Sequence, residues 1–361
     1  MNIRTTLIGI VSALAILVLS YASISFYNSY GASYVARQTI QINGILNNLF
    51  DSVDASFNVR GATMLALSKQ EPIAADQKKK IEDERKIADE LLEKSIITIQ
   101  SFQNFSGRDA SIDQIKKNKD EIRELRKKID VAVSQPLANR DLEIGIQYLK
   151  AVSALYVSTC KIADLVNVYL YEEIPIDQLE QIKRYLSIVS NDLSELRGRF
   201  IKIISLNKAV EKDELKDLTG HIPIAEMMFK LIDGLLEGPI LKSQLSEKYE
   251  KFKQFYNENY QVVVDQVFES AIKGIPYHVS ADEWFEKTTS VLKNLAIFSD
   301  QVSELENNFA QADSQKSTID AIIAAIALIV GFSLALLAIF VIVRRVVKPI
   351  RILQSNINAI S

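Results

Sequence analysis

The chain has 361 residues, of which 48% are hydrophobic and 24% charged, and its formal net charge is −3 at pH 7. Its 12 glycines and 7 prolines make about 5% of the residues, where average usage is about 12%. This scarcity of turn residues excludes sandwiches, barrels and doubly wound sheets, and the balance of charged and apolar residues excludes a disordered chain. We therefore predict an all-α protein of long helices.

Sequence motifs for cofactor or metal chemistry are absent. The single cysteine, Cys160, cannot form an intramolecular disulfide or a thiolate cluster, and two histidines are too few for a His-rich zinc site. No glycine-rich phosphate loop, CxxC, HExxH or GxSxG motif occurs. The sequence therefore predicts a protein that is not an enzyme and that carries no cofactor and no metal.

An apolar segment lies at the start of the chain. Thr6–Phe26 is strongly apolar, and no charged side chain occurs from Thr5 to Ala36. About 20 such residues cross the roughly 30 Å hydrocarbon layer of a membrane. A cleaved signal peptide is the alternative, but its apolar part spans roughly 7–15 residues and ends in a small-x-small cleavage site. We predict a retained transmembrane anchor over residues 1–29.

The sequence from 30 to 318 predicts an elongated helical bundle. Helix-breaking prolines and glycines divide it, and Ser280 is a predicted N-cap for the last helix. The segments 30–69 and 281–318 have similar lengths, about 60 and 57 Å as helices. We expect these two helices to pack side by side, with the remaining helices burying their apolar faces against them. Trp284 is predicted to pack in this bundle.

Two Arg-Gly pairs indicate an internal repeat within the bundle. Arg60-Gly61 and Arg197-Gly198 each lie in a predicted helix and each precede an apolar run. Their spacing would divide the bundle into two similar modules, residues 30–172 and 177–318.

A second apolar segment follows the bundle. Ala321–Val343 contains 23 residues without a charge, and we predict a transmembrane helix over 319–343. Five basic residues lie outside the two spans, so the positive-inside rule places both ends in the cytoplasm and the bundle in the periplasm; they are Arg4, Arg344, Arg345, Lys348 and Arg351. The segment between the spans contains the remaining 37 basic residues and 45 acidic ones, which gives it a net charge of −8. This negative charge argues against a nucleic-acid partner.

Two motifs in the second half resemble a known family. The first is LSELRGR at 193–199, and the second is PYHVSADEWF at 276–285. Together they resemble the sensory region of certain methyl-accepting chemotaxis proteins, which is similar to the all-helical nitrate- and nitrite-sensing (NIT) domain. In the first half, Arg60-Gly61 keeps the Arg-Gly pair without the usual preceding glutamate.

The last residues resemble the first helix of a HAMP linker. Pro349 follows the membrane span, and four apolar residues have the a/d spacing of a parallel coiled coil, namely Ile350, Leu353, Ile357 and Ile360. The alternative is a basic membrane-anchoring tail. Because a HAMP region has two helices per chain, we expect residues 344–361 to be its start, with an output region beyond Ser361. The resemblance assigns Pro349 to signal relay.

These resemblances imply the sensory region of a transmembrane chemoreceptor in a bacterial inner membrane. Such a receptor is a homodimer that binds a small ligand in the periplasm. It passes the signal through the second membrane helix and HAMP to a cytoplasmic chemotaxis kinase and adaptor. The alternatives are an input module of a sensor histidine kinase or cyclic-nucleotide enzyme, and a bundle that docks a partner protein.

Arginines are the candidate ligand-binding residues. The planar guanidinium of Arg60 or Arg197 can bind an oxyanion such as nitrate or a carboxylate through two hydrogen bonds. The alternative for Arg197 is a salt bridge with Asp192 or Glu195 on the same helix. Arg199 is a weaker candidate because it lies about 200° around the helix from Arg197.

Overall fold

A computed structural model describes residues 3–102, 105–167, 174–207, 210–349 and 352. None of these residues lies in a β-strand, and nearly all of them are helical, which confirms the all-α prediction. The α-helices in these ranges are α1 (Ile3–Ser68), α2 (Ala75–Ser101), α3 (Arg108–Ala132), α4 (Glu143–Asn167), α5 (Ile174–Leu206), α6 (Lys212–Thr219), α7 (Ile222–Leu235), α8 (Pro239–Tyr256), α9 (Val262–Lys273) and α10 (Ala281–Ile342). π-Helical turns occupy Asn257–Gln261 and Val343–Val347.

Helix ends follow the turn residues of the sequence. The backbone N–H of Glu283 donates to Ser280 Oγ at 3.1 Å, which confirms Ser280 as the N-cap of α10. Gly274 ends α9 in the left-handed conformation, with φ of 65°. Gly107 is also left-handed, and α3 begins directly after it.

The chain divides into two compact units. The terminal unit comprises Met1–Ile40 and Ala310–Ser361, and the bundle unit comprises Gln41–Phe309. The sequence-based boundaries at 30 and 318, and the two modules 30–172 and 177–318, stay predictions.

In the terminal unit, the first part of α1 packs antiparallel against the last part of α10. Ser33 Oγ and Thr318 Oγ1 share a hydrogen bond of 2.9 Å, and Gly331 faces Val18 and Leu19. Most of the large apolar side chains in this unit are exposed. By length and composition, α1 and α10 are both long and apolar enough to cross a membrane.

In the bundle unit, three helices bury apolar residues at alternating intervals of three and four. These intervals are typical of helices that pack side by side along a common seam. The seam residues are Ile42, Leu46, Leu49 and Val53 in α1, Leu179, Ile182, Leu186, Val189, Leu193, Leu196 and Phe200 in α5, and Trp284, Val291, Leu295, Phe298 and Val302 in α10, where the buried Thr288 occupies the position between Trp284 and Val291. These three helices also carry the buried charged residues of the bundle unit that form the candidate site, Arg60 in α1 and Arg197 in α5.

Trp284 packs in this core. Its side chain is fully buried, and its indole N–H donates to the backbone oxygen of Arg197 at 3.1 Å. The ring packs edge-on against Phe200, with 5.5 Å between ring centroids. Trp284 therefore joins α10 to α5 beside the arginines, as the packing prediction for this residue required.

Candidate functional site

Arg60 lies in α1 and is fully buried. Its guanidinium donates to three neutral oxygens, the hydroxyl of Ser194 at 3.2 Å, the hydroxyl of Ser153 at 2.9 Å and the backbone oxygen of Asn191 at 2.9 Å. The group also lies 4.6 Å from the centre of the Phe57 ring. All of these hydrogen-bond acceptors are uncharged.

Arg197 lies in α5 and is also fully buried. Its Nη2 donates to the backbone oxygen of Phe57 at 2.6 Å and to Ser194 Oγ at 3.3 Å, and its Nη1 donates to Thr289 Oγ1 at 2.9 Å. Nε has no hydrogen-bond partner in the described part of the chain. Arg197 thus connects α5 to both α1 and α10.

The glycines of the two Arg-Gly pairs make this arrangement possible. A Cβ atom on Gly61 would lie 2.4 Å from the Arg197 guanidinium, and a Cβ atom on Gly198 would lie 2.7 Å from Leu149. Both distances are shorter than a Cβ contact allows, so an added side chain would displace the Arg197 guanidinium or the Leu149 side chain. The Arg-Gly pairs therefore meet across one helix interface, where both arginines donate to the same Ser194 hydroxyl.

Neither buried guanidinium has a carboxylate at ion-pairing distance among the described residues. Burial lowers the pKa of Arg60 to about 10, although the charge of Glu195 opposes the shift. Burial lowers the pKa of Arg197 to about 9, and the neighbouring Arg60 adds to this effect while Glu84 opposes it. Burying a cation without a paired anion costs free energy. The arrangement is therefore one that an anion would stabilise.

The acidic residues near Arg197 in sequence have other partners. Glu195 pairs with Arg199 at 2.8 Å, and Asp192 pairs with His221 at 2.5 Å. Arg199 also pairs with Asp217, so its guanidinium is already neutralised. The salt bridge considered for Arg197 on its own helix is therefore not formed.

Pro349 lies at the described end of the chain. It follows the π-helical turn Val343–Val347 and is exposed. Its assignment to signal relay stays a prediction, and the residues proposed for the rest of the HAMP helix, apart from Ile352, lie outside the described residues.

A cleft of about 540 Å³ adjoins Arg197. It is lined by α1 (Ala55, Asn58 and Leu65), α2 (Lys80, Glu84 and Ile87), α5 (Arg197) and α10 (Asp282, Phe285, Glu286, Thr289, Ser290 and Lys293). Of the three candidate arginines, Arg197 lines this cleft, and Arg60 lies behind it across Ser194. Glu84 and Thr289 lie in no sequence motif, and Phe285, which ends the PYHVSADEWF motif, was not predicted to line a site.

A second group of buried charges lies elsewhere in the bundle unit. Lys183 of α5 lies 2.8 Å from Glu306 of α10 and 3.2 Å from Glu180, and all three side chains are buried. Asp54 of α1 is half-buried and accepts a hydrogen bond from Ser190 of α5 at 2.9 Å. Burial raises the pKa of Asp54 to about 7, with nearby Asp51 and Asp300 adding to the shift and the Ser190 hydrogen bond opposing it.

Comparison with known proteins yields a similarity of fold. No family model and no curated protein matches the chain. A solved structure described as the NasR transcription antiterminator is similar, with a TM-score of 0.63 and 15% sequence identity. The match covers 86% of this chain and 82% of that chain. At this identity the similarity establishes a shared helical fold.

This comparison corrects the predicted function. The protein of similar fold is a transcription antiterminator, which points away from a membrane chemoreceptor, so the chemoreceptor prediction is wrong. The physical reason is that seams of apolar residues and Arg-Gly contacts specify how helices pack, and one helical packing can serve many outputs. The function must be argued from the site itself.

Proposed function

We propose that the bundle unit is a ligand-responsive regulatory module that binds a small oxyanion, such as nitrate or a short carboxylate. The anion binds at Arg197, with Arg60 as a second buried positive charge. The observation that supports this proposal is that both guanidinium groups are fully buried without a carboxylate partner in the described part of the chain.

The ligand reaches Arg197 from the cleft. Thr289 lines the cleft and accepts the hydrogen bond from Nη1 of Arg197, so an anion there can take over that hydrogen bond. Charge-assisted hydrogen bonds are roughly twice as strong as those between neutral groups. The anion would also offset the repulsion between Arg197 and Arg60.

Binding at this position affects three helices. Arg197 belongs to α5 and holds α1 through Phe57 and α10 through Thr289. An anion that replaces Thr289 favours a packing in which α10 is less tightly tied to α5. A coupling of about 1–3 kcal/mol is typical of such effects. The regulatory role of the protein with similar fold is in keeping with this proposal.

Sodium nitrate should raise the melting temperature of the full-length chain in detergent micelles. At a hundredfold excess over the dissociation constant, the stabilisation should be about 2.7 kcal/mol. Arg197→Met removes the guanidinium and should abolish the shift, and Gly61→Ala should weaken it by displacing that guanidinium. The matched control is Arg199→Met, which removes the same charge from the same helix and should keep the response.

Circular dichroism of each variant checks that the helices are intact. A full nitrate response in folded Arg197→Met protein would exclude Arg197 as the binding group.

We also propose that the apolar parts of α1 and α10 lie in a membrane, with both chain ends in the cytoplasm and the bundle unit in the periplasm. The exposed apolar side chains of the terminal unit and the basic residues Arg4, Arg344 and Arg345 support this topology. A reporter enzyme that is active only in the periplasm should be active when fused after Gly107 and silent after Ser361. Activity at Ser361 would contradict the topology.

A further inference from the structure

Two incompletely partnered groups of opposite charge line the same cleft. Nε of Arg197 is buried and has no hydrogen-bond partner in the described ranges. Glu84 of α2 is half-buried, and within the same ranges its carboxylate makes no hydrogen bond or ion pair. Burial raises the pKa of Glu84, although Lys80, Arg197 and Lys293 act in the opposite direction. The cleft therefore offers a cation and an anion to one ligand.

The other charged groups of the cleft are less available or more exposed. Asp282 forms an ion pair with Lys69, which leaves its carboxylate occupied. Glu286, Lys80 and Lys293 are exposed, so solvent and salt screen their charges. Arg197 and Glu84 are thus the charged pair of the cleft that is least screened by water.

The cleft is also larger than a simple inorganic anion requires. Its volume is about 540 Å³, whereas a water molecule takes about 30 Å³ in the liquid and nitrate has four heavy atoms. Clefts of about 300–1,000 Å³ are typical of sites for organic ligands. Part of the wall is apolar and comprises Leu65, Ile87 and Phe285, which can accept a hydrocarbon group.

We propose that the cleft binds a zwitterionic amino acid with an apolar side chain. The ligand carboxylate binds Arg197, its ammonium group binds Glu84, and its side chain lies against Leu65, Ile87 and Phe285. This inference rests on the proposed function, because Arg197 is the anion-binding group in both. It differs in requiring an ammonium group on the ligand, which nitrate and simple carboxylates lack.

The test compares L-leucine with 4-methylpentanoate, which lacks only the ammonium group, on the full-length chain in detergent micelles. Hydrogen bonds to charged groups contribute about 1.5–3 kcal/mol, so L-leucine should reach the same thermal stabilisation at a concentration at least about tenfold lower. Glu84→Gln should remove this preference while the response to sodium nitrate remains. The matched control is Glu82→Gln, an exposed glutamate of α2 that does not line the cleft.

The outcomes separate this inference from the proposed function. Equal potency of the two compounds, no response to L-leucine, or an unchanged preference in Glu84→Gln would overturn the amino-acid site. If nitrate still stabilises the protein through Arg197 in that case, the proposed function stands without it. If Arg197→Met leaves the nitrate response unchanged, the proposed function fails whatever L-leucine does.

Discussion

Replacing Lys183 with methionine is expected to destabilise the bundle unit by about 3–5 kcal/mol at pH 8. Lys183 is the cation between two buried carboxylates, Glu180 and Glu306, on α5 and α10. Without it, both carboxylates would have to remain buried as anions or take up protons. The loss should therefore be smaller at pH 5, where protonation relieves the repulsion.

The measurement is denaturant unfolding followed by the fluorescence of Trp284, the single tryptophan of the chain. Because Trp284 is fully buried in the bundle unit, its emission reports on that unit. Lys251→Met is the matched control, since Lys251 is exposed and its change should stay within about 0.5 kcal/mol. A Lys183→Met protein as stable as the wild type at pH 8 would show that the buried cluster is not coupled to folding.

The stability of the bundle unit should fall as the pH rises from 4 to above 7. Asp54 has a pKa of about 7 in the folded protein, whereas a carboxyl group in the unfolded chain keeps its ordinary value near 4. Between pH 4 and pH 7 the folded state therefore holds a proton on Asp54 that the unfolded chain has released. The stability that this proton contributes is lost as the pH rises through 7. For Asp54 alone the loss is about 4 kcal/mol across the window.

Two nearby carboxylates add to the rise in the Asp54 pKa, and the Ser190 hydrogen bond opposes it. The negative charges of Asp51 on α1 and Asp300 on α10 disfavour the ionised form of Asp54. Burial also raises the pKa of Glu306, although Lys183 opposes that shift. Asp54→Asn should reduce the slope of unfolding free energy against pH, while the exposed Asp83→Asn should not. An unchanged slope in Asp54→Asn would refute the assignment.

Much of the fold follows from local sequence. Long helices, the Ser280 cap and the apolar runs are each encoded within a few neighbouring residues, and the structure has them where the sequence analysis expected them. The Arg-Gly pairs were also visible, because each lies in a predicted helix and precedes an apolar run. The contact between the two pairs was not visible in the sequence, because only the packed structure places Gly61 against Arg197, 136 positions later in sequence.

The seam pattern indicates which charged side chains are buried. Arg60 continues the three-and-four spacing of Ile42 to Val53 in α1, and Glu306 lies one residue after the position that this spacing predicts from Val302 in α10. A charged residue at a seam position predicts a buried charge that needs a partner. The identity of the partner depends on the helix arrangement, as Lys183 and Glu306 show, which are 123 positions apart in sequence.

The cleft required the tertiary structure for a different reason. Glu84 lies on a strongly charged helix, where most such side chains are solvated. Its place opposite Phe285 and Thr289 depends on which face of α2 meets α10, and that choice is made by packing throughout the bundle unit. The chemoreceptor prediction failed because the helical pattern specifies how helices pack and does not specify the function of the packed protein.

Isothermal titration of sodium nitrate into the full-length chain tests whether Arg197 binds an oxyanion. We expect saturable binding to the wild-type protein and to Arg199→Met and no detectable binding to Arg197→Met, with sodium chloride as the ionic-strength control. Nitrate binding of equal affinity in wild-type and Arg197→Met proteins would contradict this expectation.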